Sequence, residues 1–292
     1  MTTKAKDSKR AADATLTGTA AHQIEKKMKN QVHHSIVYSY NVGDTIERFK
    51  TCTPEEQANI EVHIAKVIIE SFVEPADDDY LAARSLAIGG LHRSFFWSAA
   101  QAVEKYLKAF LLLHGVPVRD LSHHLNPLLR EAKKVQAGFS DIDLTPHSHL
   151  VLPPGFPLSQ FKLESFVSVL DKYGSADNRY NNYGAIYDTG HLFALDSLAY
   201  HLRNKMSVPS IEASFHRRLS VDFQRYLYEN NPYFAPPEFM HAAPPNPLFP
   251  LSNGVFVPHW KTLQMSDTMQ YLFPKMWLAK HMKIDWPPKL KK

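Results

Sequence analysis

Gln101, Lys105 and Lys108 recur at spacings of four and three in FWSAAQAVEKYLKAFLLLH, and Arg179 follows later in DNRY. A lysine ammonium suits phosphate as a point charge, and an arginine adds a bidentate fork. The chemistry these residues could perform is capture of a phosphate in the groove beside that stretch. The same positions also fit a plain solvated strip on a helix. In that case Glu104 and Lys108 form an i,i+4 pair, worth about a few tenths of a kcal/mol. The sequence leaves both readings open.

Histidine pairs invite a metal reading. His33-His34, His123-His124 and His147-x-His149 are available, with Asp141 and Asp143 near the last. None has the i,i+4 spacing of a helical zinc site, and no HExxH occurs. No metal site is therefore expected. No GxxxxGK[ST] or GxGxxG is present, so no P-loop or dinucleotide cofactor is expected either. The chain has no nucleophile elbow, and its single cysteine, Cys52, has no local signature. One cysteine excludes an internal disulfide framework and fits a reducing compartment such as the cytoplasm.

The elements that would position these residues are helical. Thr53-Pro54-Glu55-Glu56 reads as a capping box with proline at the first helical position. Ile60, Ile64, Val67 and Ile68 then mark an amphipathic helix over about 54–72. Pro75 is expected to separate it from a short helix that Asp77, Asp78 and Asp79 open. Gly89-Gly90 ends that one. A long helix over about 91–114 is apolar on most sides, the signature of a helix inside a bundle. Gly115 and Pro117 stop it. Further helices are expected near 124–137, 160–173, 189–206, within 207–231, and over 266–284, where Pro274 must kink or split the last. QVHHSIVYSY (31–40) has β-like content. Prolines crowd 231–258 and argue against a regular helix or central strand there; its aromatics argue for packing along the surface.

Several of these segments, taken in order, carry a family resemblance. They are DDDYLAAR, then FWSAAQAVEKYLKAFLLLHG, then the His124-Leu125 helix start, then Arg179-Tyr180 ahead of the 189–206 helix. Over about 75–206 the chain resembles the HEPN family of small all-helical domains. The resemblance implies an all-α, up-down helical bundle that binds nucleotide or RNA, commonly as a homodimer. It also implies a toxin–antitoxin or defence setting, sometimes beside a nucleotidyltransferase. Nuclease members resemble one another in an arginine followed, four to six residues on, by a histidine at a late helix. There the histidine exchanges a proton and the arginine stabilises phosphate charge without metal. The late helix here offers Arg203-Asn-Lys-Met-Ser without that histidine, and His191 is too far from Arg179. Arg119-Asp-Leu-Ser-His-His124 matches literally but lies in the turn between the 91–114 and 124–137 helices, not at the late helix. Arg119 and His124 are thus the catalytic candidates, while His124 also reads as a residue that opens a helix.

The expected organisation is a flexible basic N-terminus with one amphipathic helix (1–72), the bundle (73–206), and a Pro/aromatic-rich extension with a basic end (207–292). The net charge is +4, but the first 30 residues carry +4 and residues 260–292 carry +5, leaving −5 between. The basic ends fit solubilising tails or a phosphate partner. Trp260, Trp277 and Trp286 interleave with lysines, a pattern that suits single-stranded nucleic acid as well as a packed helix. Apolar runs of about five residues are too short for a membrane span, and no secretory h-region opens the chain. The reading is a nucleotide- or RNA-binding protein without the metal-independent nuclease motif. The alternatives are a HEPN-type ribonuclease and a non-catalytic scaffold.

Overall fold

The computed structural model describes residues 50–150, 152, 156, 158–179, 183–211, 220–235, 254–256 and 269–281. All belong to one compact unit, Tyr40–Lys292. The basic N-terminus, the 31–40 segment, Trp260, Trp286 and most of the proline-rich stretch lie outside the described residues.

Helix α1 (Pro54–Ile68) starts as its sequence dictates. The Thr53 side chain accepts from the Glu56 amide, and the Glu56 carboxylate takes the Thr53 amide at 2.8 Å. Its end departs from expectation. The chain does not break before Pro75; it widens into a π turn, Ile69–Val73, and continues as α2 (Glu74–Ile88). The Glu74 amide reaches back to the Ile69 carbonyl. Pro75 thus falls where the hydrogen-bond ladder changes step, and its missing donor costs least there. Asp77 is correspondingly not a cap but a buried residue of α2.

Helix α3 (His92–Leu113) is the centre of the bundle. It packs against α1, the π turn, α2, α4 (Leu125–Val135), α5 (Leu163–Tyr173) and α6 (Thr189–Met206). Phe95, Phe96, Ala99, Val103, Leu107, Phe110 and Leu111 are buried along it. At roughly 1.5–3 kcal/mol for each large apolar side chain, this burial is the main term holding the bundle together. Two glycines permit close approaches. A Cβ at Gly174, just after α5, would overlap the Phe96 carbonyl oxygen and the Ala100 methyl, so α5 closes onto α3 only with glycine there. A Cβ at Gly254 would lie 2.6 Å from His92 Nδ1.

That second glycine opens β2 (Gly254–Phe256), which pairs antiparallel with β1 (Ala185–Tyr187), Ala185 opposite Phe256. The strand forms in the region where the prolines argue against a regular helix or central strand, and it is neither. It is three residues long and belongs to a two-stranded ribbon, so it needs few backbone donors. Tyr187 stacks on His92 with centroids 4.1 Å apart. Helix α7 (Val221–Tyr228) packs on α2, and α8 (Met269–His281) runs through Pro274 as one helix rather than two.

Helices α2 and α6 are joined by a reciprocal pair of buried ion pairs. Arg84 of α2 donates to Asp196 of α6, and Arg203 of α6 donates to Asp77 of α2. Tyr80 donates to Asp196 Oδ1 at 2.7 Å, and Tyr106 donates to Asp77. Arg84 also reaches the Tyr226 carbonyl at 2.8 Å and the Glu229 carbonyl at 2.6 Å, tying α7 and its exit to the bundle. Arg203 likewise donates to the Pro209 carbonyl. All four charged side chains are at most 5 % exposed.

Candidate functional site

The side chains at 97, 101, 104 and 108 recur every three or four residues, so they share one face of α3. Where α3 meets the start of α4 and the end of α5, that face borders a cleft of about 400 Å³. Its lining includes Trp97, Gln101, Glu104, His123, His124 and Asp171, with Gly174 and Asp177 beside them.

Each polar group has a definite setting. Lys108 Nζ and His123 Nδ1 both meet Glu104 Oε1, at 2.7 and 2.8 Å. Asp171 reaches from α5 to the first turn of α4. Its Oδ1 accepts from the Leu125 amide at 3.0 Å and its Oδ2 from Asn126 Nδ2 at 2.8 Å. His124 holds the N-cap position with extended backbone, but its own side chain caps nothing. The cap for α4 therefore comes from a neighbouring helix, and His124 Nδ1 rests on the same carboxylate at 3.3 Å. Arg179 places its guanidinium 5.7 Å from the Trp97 ring centroid.

Among the sequence-derived candidates, Gln101 and His124 thus line the cleft, with Lys108 and Arg179 attached to it through Glu104 and Trp97. Lys105 does not converge with them. It lies on the other flank of α3 and pairs with Asp79 of α2. Arg119 sits in an exposed turn and is not among the cleft residues. His147 and His149 face one another with ring centroids 4.7 Å apart. No group of three or more metal-ligating side chains lies together among the described residues. Trp97 and Asp171 were not singled out from sequence, and His123 stood out there only as half of a histidine pair weighed for metal. The signal for Trp97 was available, since it stands one turn before Gln101 on the same face. Asp171 could not be found that way, because its partners are about 45 residues distant in the chain.

Burial perturbs the ladder between α2 and α6. It pushes the Asp77 carboxyl up to about 6, outweighing the attraction of Arg203 and the bonds from Tyr106 and Arg203. Burial also raises Asp196 against the opposing pull of Arg84. Asp77 Oδ2 and Asn231 Oδ1 are enclosed without a hydrogen-bond partner.

Residues 69–143 match the family model of the HEPN domain. The match runs from the π turn through α2, α3 and α4 to Asp143; α5 and α6 complete the bundle outside it. No curated protein matches the chain, and no solved structure does. No helix among the described residues is long and apolar enough to cross a membrane. The cleft is built by α3 and α4, which lie within the matched residues, on one side and by α5 on the other.

Proposed function

We propose that the HEPN domain binds nucleotides, free or as unpaired residues of RNA, in the cleft beside α3. The observation that carries this reading is the Trp97 ring, with the Arg179 guanidinium over it, at the mouth of a cleft of about 400 Å³. Such a volume lies within the range of small-molecule sites. An indole face takes up a base by stacking, worth about 1–3 kcal/mol. A guanidinium alongside can hold the attached phosphate, while Lys108, whose ammonium meets Glu104 at 2.7 Å, steadies that carboxylate. Lys105, paired with Asp79, is left out of this role. Binding without cleavage is supported by the placement of Arg203, the late-helix arginine, which is buried against Asp77. Homodimer formation, a toxin–antitoxin setting and a nucleotidyltransferase partner belong to the same proposal, and rest on the family alone.

Salt-titrated binding of a fluorescent single-stranded RNA tests it. Affinity should fall with salt, at a slope near 0.7 per neutralised phosphate. Trp97→Ala should weaken binding by about 5- to 150-fold without moving the melting temperature. A flat salt response together with an inert Trp97 would leave a scaffold instead.

A specific observation favours a second reading, metal-free RNA cleavage. Two imidazoles, His123 on Glu104 and His124 on Asp171, stand at one cleft. One imidazole can take the proton of a 2′-hydroxyl as it attacks phosphorus, while the other protonates the departing 5′-oxygen. Cyclic-phosphate products formed in chelator, and lost in both His123→Ala and His124→Ala, would establish this reading over simple binding.

A further inference from the structure

We infer that the cleft reads the base it takes up and selects guanine; this rests on the nucleotide-binding reading above. Gln101 and Glu104 stand three residues apart on α3 and line the same cleft as Trp97. Lys108 and His123 both engage Glu104 Oε1 and hold the carboxylate in place. Among the described residues no hydrogen bond occupies Glu104 Oε2, and none occupies the Gln101 amide. The cleft therefore presents a fixed acceptor beside an amide that can donate or accept.

A base laid on Trp97 meets these groups with its Watson–Crick edge. Guanine offers the acceptor O6 next to the donors N1–H and N2–H. The Glu104 carboxylate accepts from those donors, and Gln101 Nε2 donates to O6. Adenine and cytosine place a ring-nitrogen lone pair next to their amino group. Against a carboxylate that lone pair is repulsive, and a desolvated acceptor facing an acceptor disfavours binding further. Uracil shares the acceptor–donor order but lacks the second donor and stacks a smaller ring. Asp171 and Asp177 on the same cleft oppose a dense polyphosphate, so the ligand class is a guanosine monophosphate or a guanosine within RNA.

Calorimetric titration of the full chain with GMP, AMP, UMP and CMP decides it. GMP should bind at least about 10-fold more tightly than AMP or CMP, with UMP between. Glu104→Gln should erase that preference, weakening GMP and relieving the repulsion against AMP. Glu104 is nearly enclosed, so Gln101→Ala, at a half-exposed position, provides a second variant and should narrow the preference by itself. If Glu104→Gln does not fold, Gln101→Ala decides. Equal affinity for all four nucleotides would overturn the guanine reading and leave the nucleotide site standing. No binding of any of them would overturn both. A preference for guanine that survives both substitutions would overturn the assignment to these residues.

Discussion

The ladder between α2 and α6 and the cleft beside α3 are built from the same kinds of side chain and do opposite things with them. In the ladder, three nitrogens of Arg84 have protein acceptors, and Arg203 is divided between Asp77 and the Pro209 carbonyl. In the cleft, among the described residues, no hydrogen bond takes Glu104 Oε2 or the Gln101 amide, and Arg179 rests on a ring face. Arginines with their acceptors in place, shut away from water, hold helices at fixed separation. Polar groups with unused capacity along a cleft are where a ligand can gain free energy. A sequence shows both as arginines and acids on helices; only the three-dimensional partners tell them apart.

The sharpest way to break this comparison is to remove one saturated charge. Arg84→Met leaves Asp196 buried without its partner and frees the Tyr226 and Glu229 carbonyls. Unfolding in urea should show a loss of about 3–5 kcal/mol. Combining it with Asp196→Leu should restore most of that, because the penalty lies in the orphaned carboxylate. A loss below about 1 kcal/mol would mean that Arg84 behaves as a surface residue and the distinction fails.

Next in size is the pH dependence of Asp77. Its folded value of about 6 lies above the ordinary 3.8, so the folded chain takes up the proton first. Its contribution is therefore full below pH 3.8 and is lost as pH rises through about 6. The stability of the native chain minus that of Asp77→Asn should fall by about 3 kcal/mol between pH 3.5 and 7. A difference that stayed flat, or rose, would show that the attraction of Arg203 outweighs burial.

Much of the scaffold was legible, and the reason is local. The α6 boundaries, Thr189–Met206, and those of α3, within a residue at each end, follow from apolar periodicity and terminal residues that act over a few positions. Pro75 was misleading because proline ends an α-helix by rule, whereas a π turn relocates the lost donor. The ladder has a signature in the sequence. Asp77 and Arg84 are seven residues apart on α2, and Asp196 and Arg203 are seven apart on α6. Two turns return a side chain to the same face, so antiparallel helices with this spacing can cross-pair twice. The cleft was half legible. Gln101 and Lys108 follow from helical spacing, but no periodicity could show that Lys105, between them, turns to Asp79, or that Asp171 would cap α4.

That cap offers an intermediate test, since Asp171 is saturated like the ladder yet lines the cleft. Asp171→Ala removes the acceptor for the Leu125 amide and should cost about 1 kcal/mol in thermal or urea unfolding. His124 also loses its carboxylate, so any metal-free cleavage should drop with it. Asp171→Asn keeps an acceptor for the amide and should recover most of the stability. If the asparagine variant were as unstable as the alanine, charge rather than capping would be the role of Asp171.

Lys105 carries the smallest expected effect and divides the two regions most cleanly. It lies between Gln101 and Lys108 in sequence, within the phosphate-binding strip that spacing alone suggests. In the fold its ammonium pairs with Asp79, with both side chains roughly a third exposed. A pair that wet contributes about 0–1 kcal/mol. Lys105→Ala should therefore change unfolding free energy by less than about 1 kcal/mol and leave nucleotide and RNA affinity unaltered. Lys108→Ala, which unfastens Glu104, should weaken binding in the same assay. If Lys105→Ala weakened RNA binding as much as Lys108→Ala does, the ligand would span both flanks of α3, and the separation between a holding side and a reading side would be wrong.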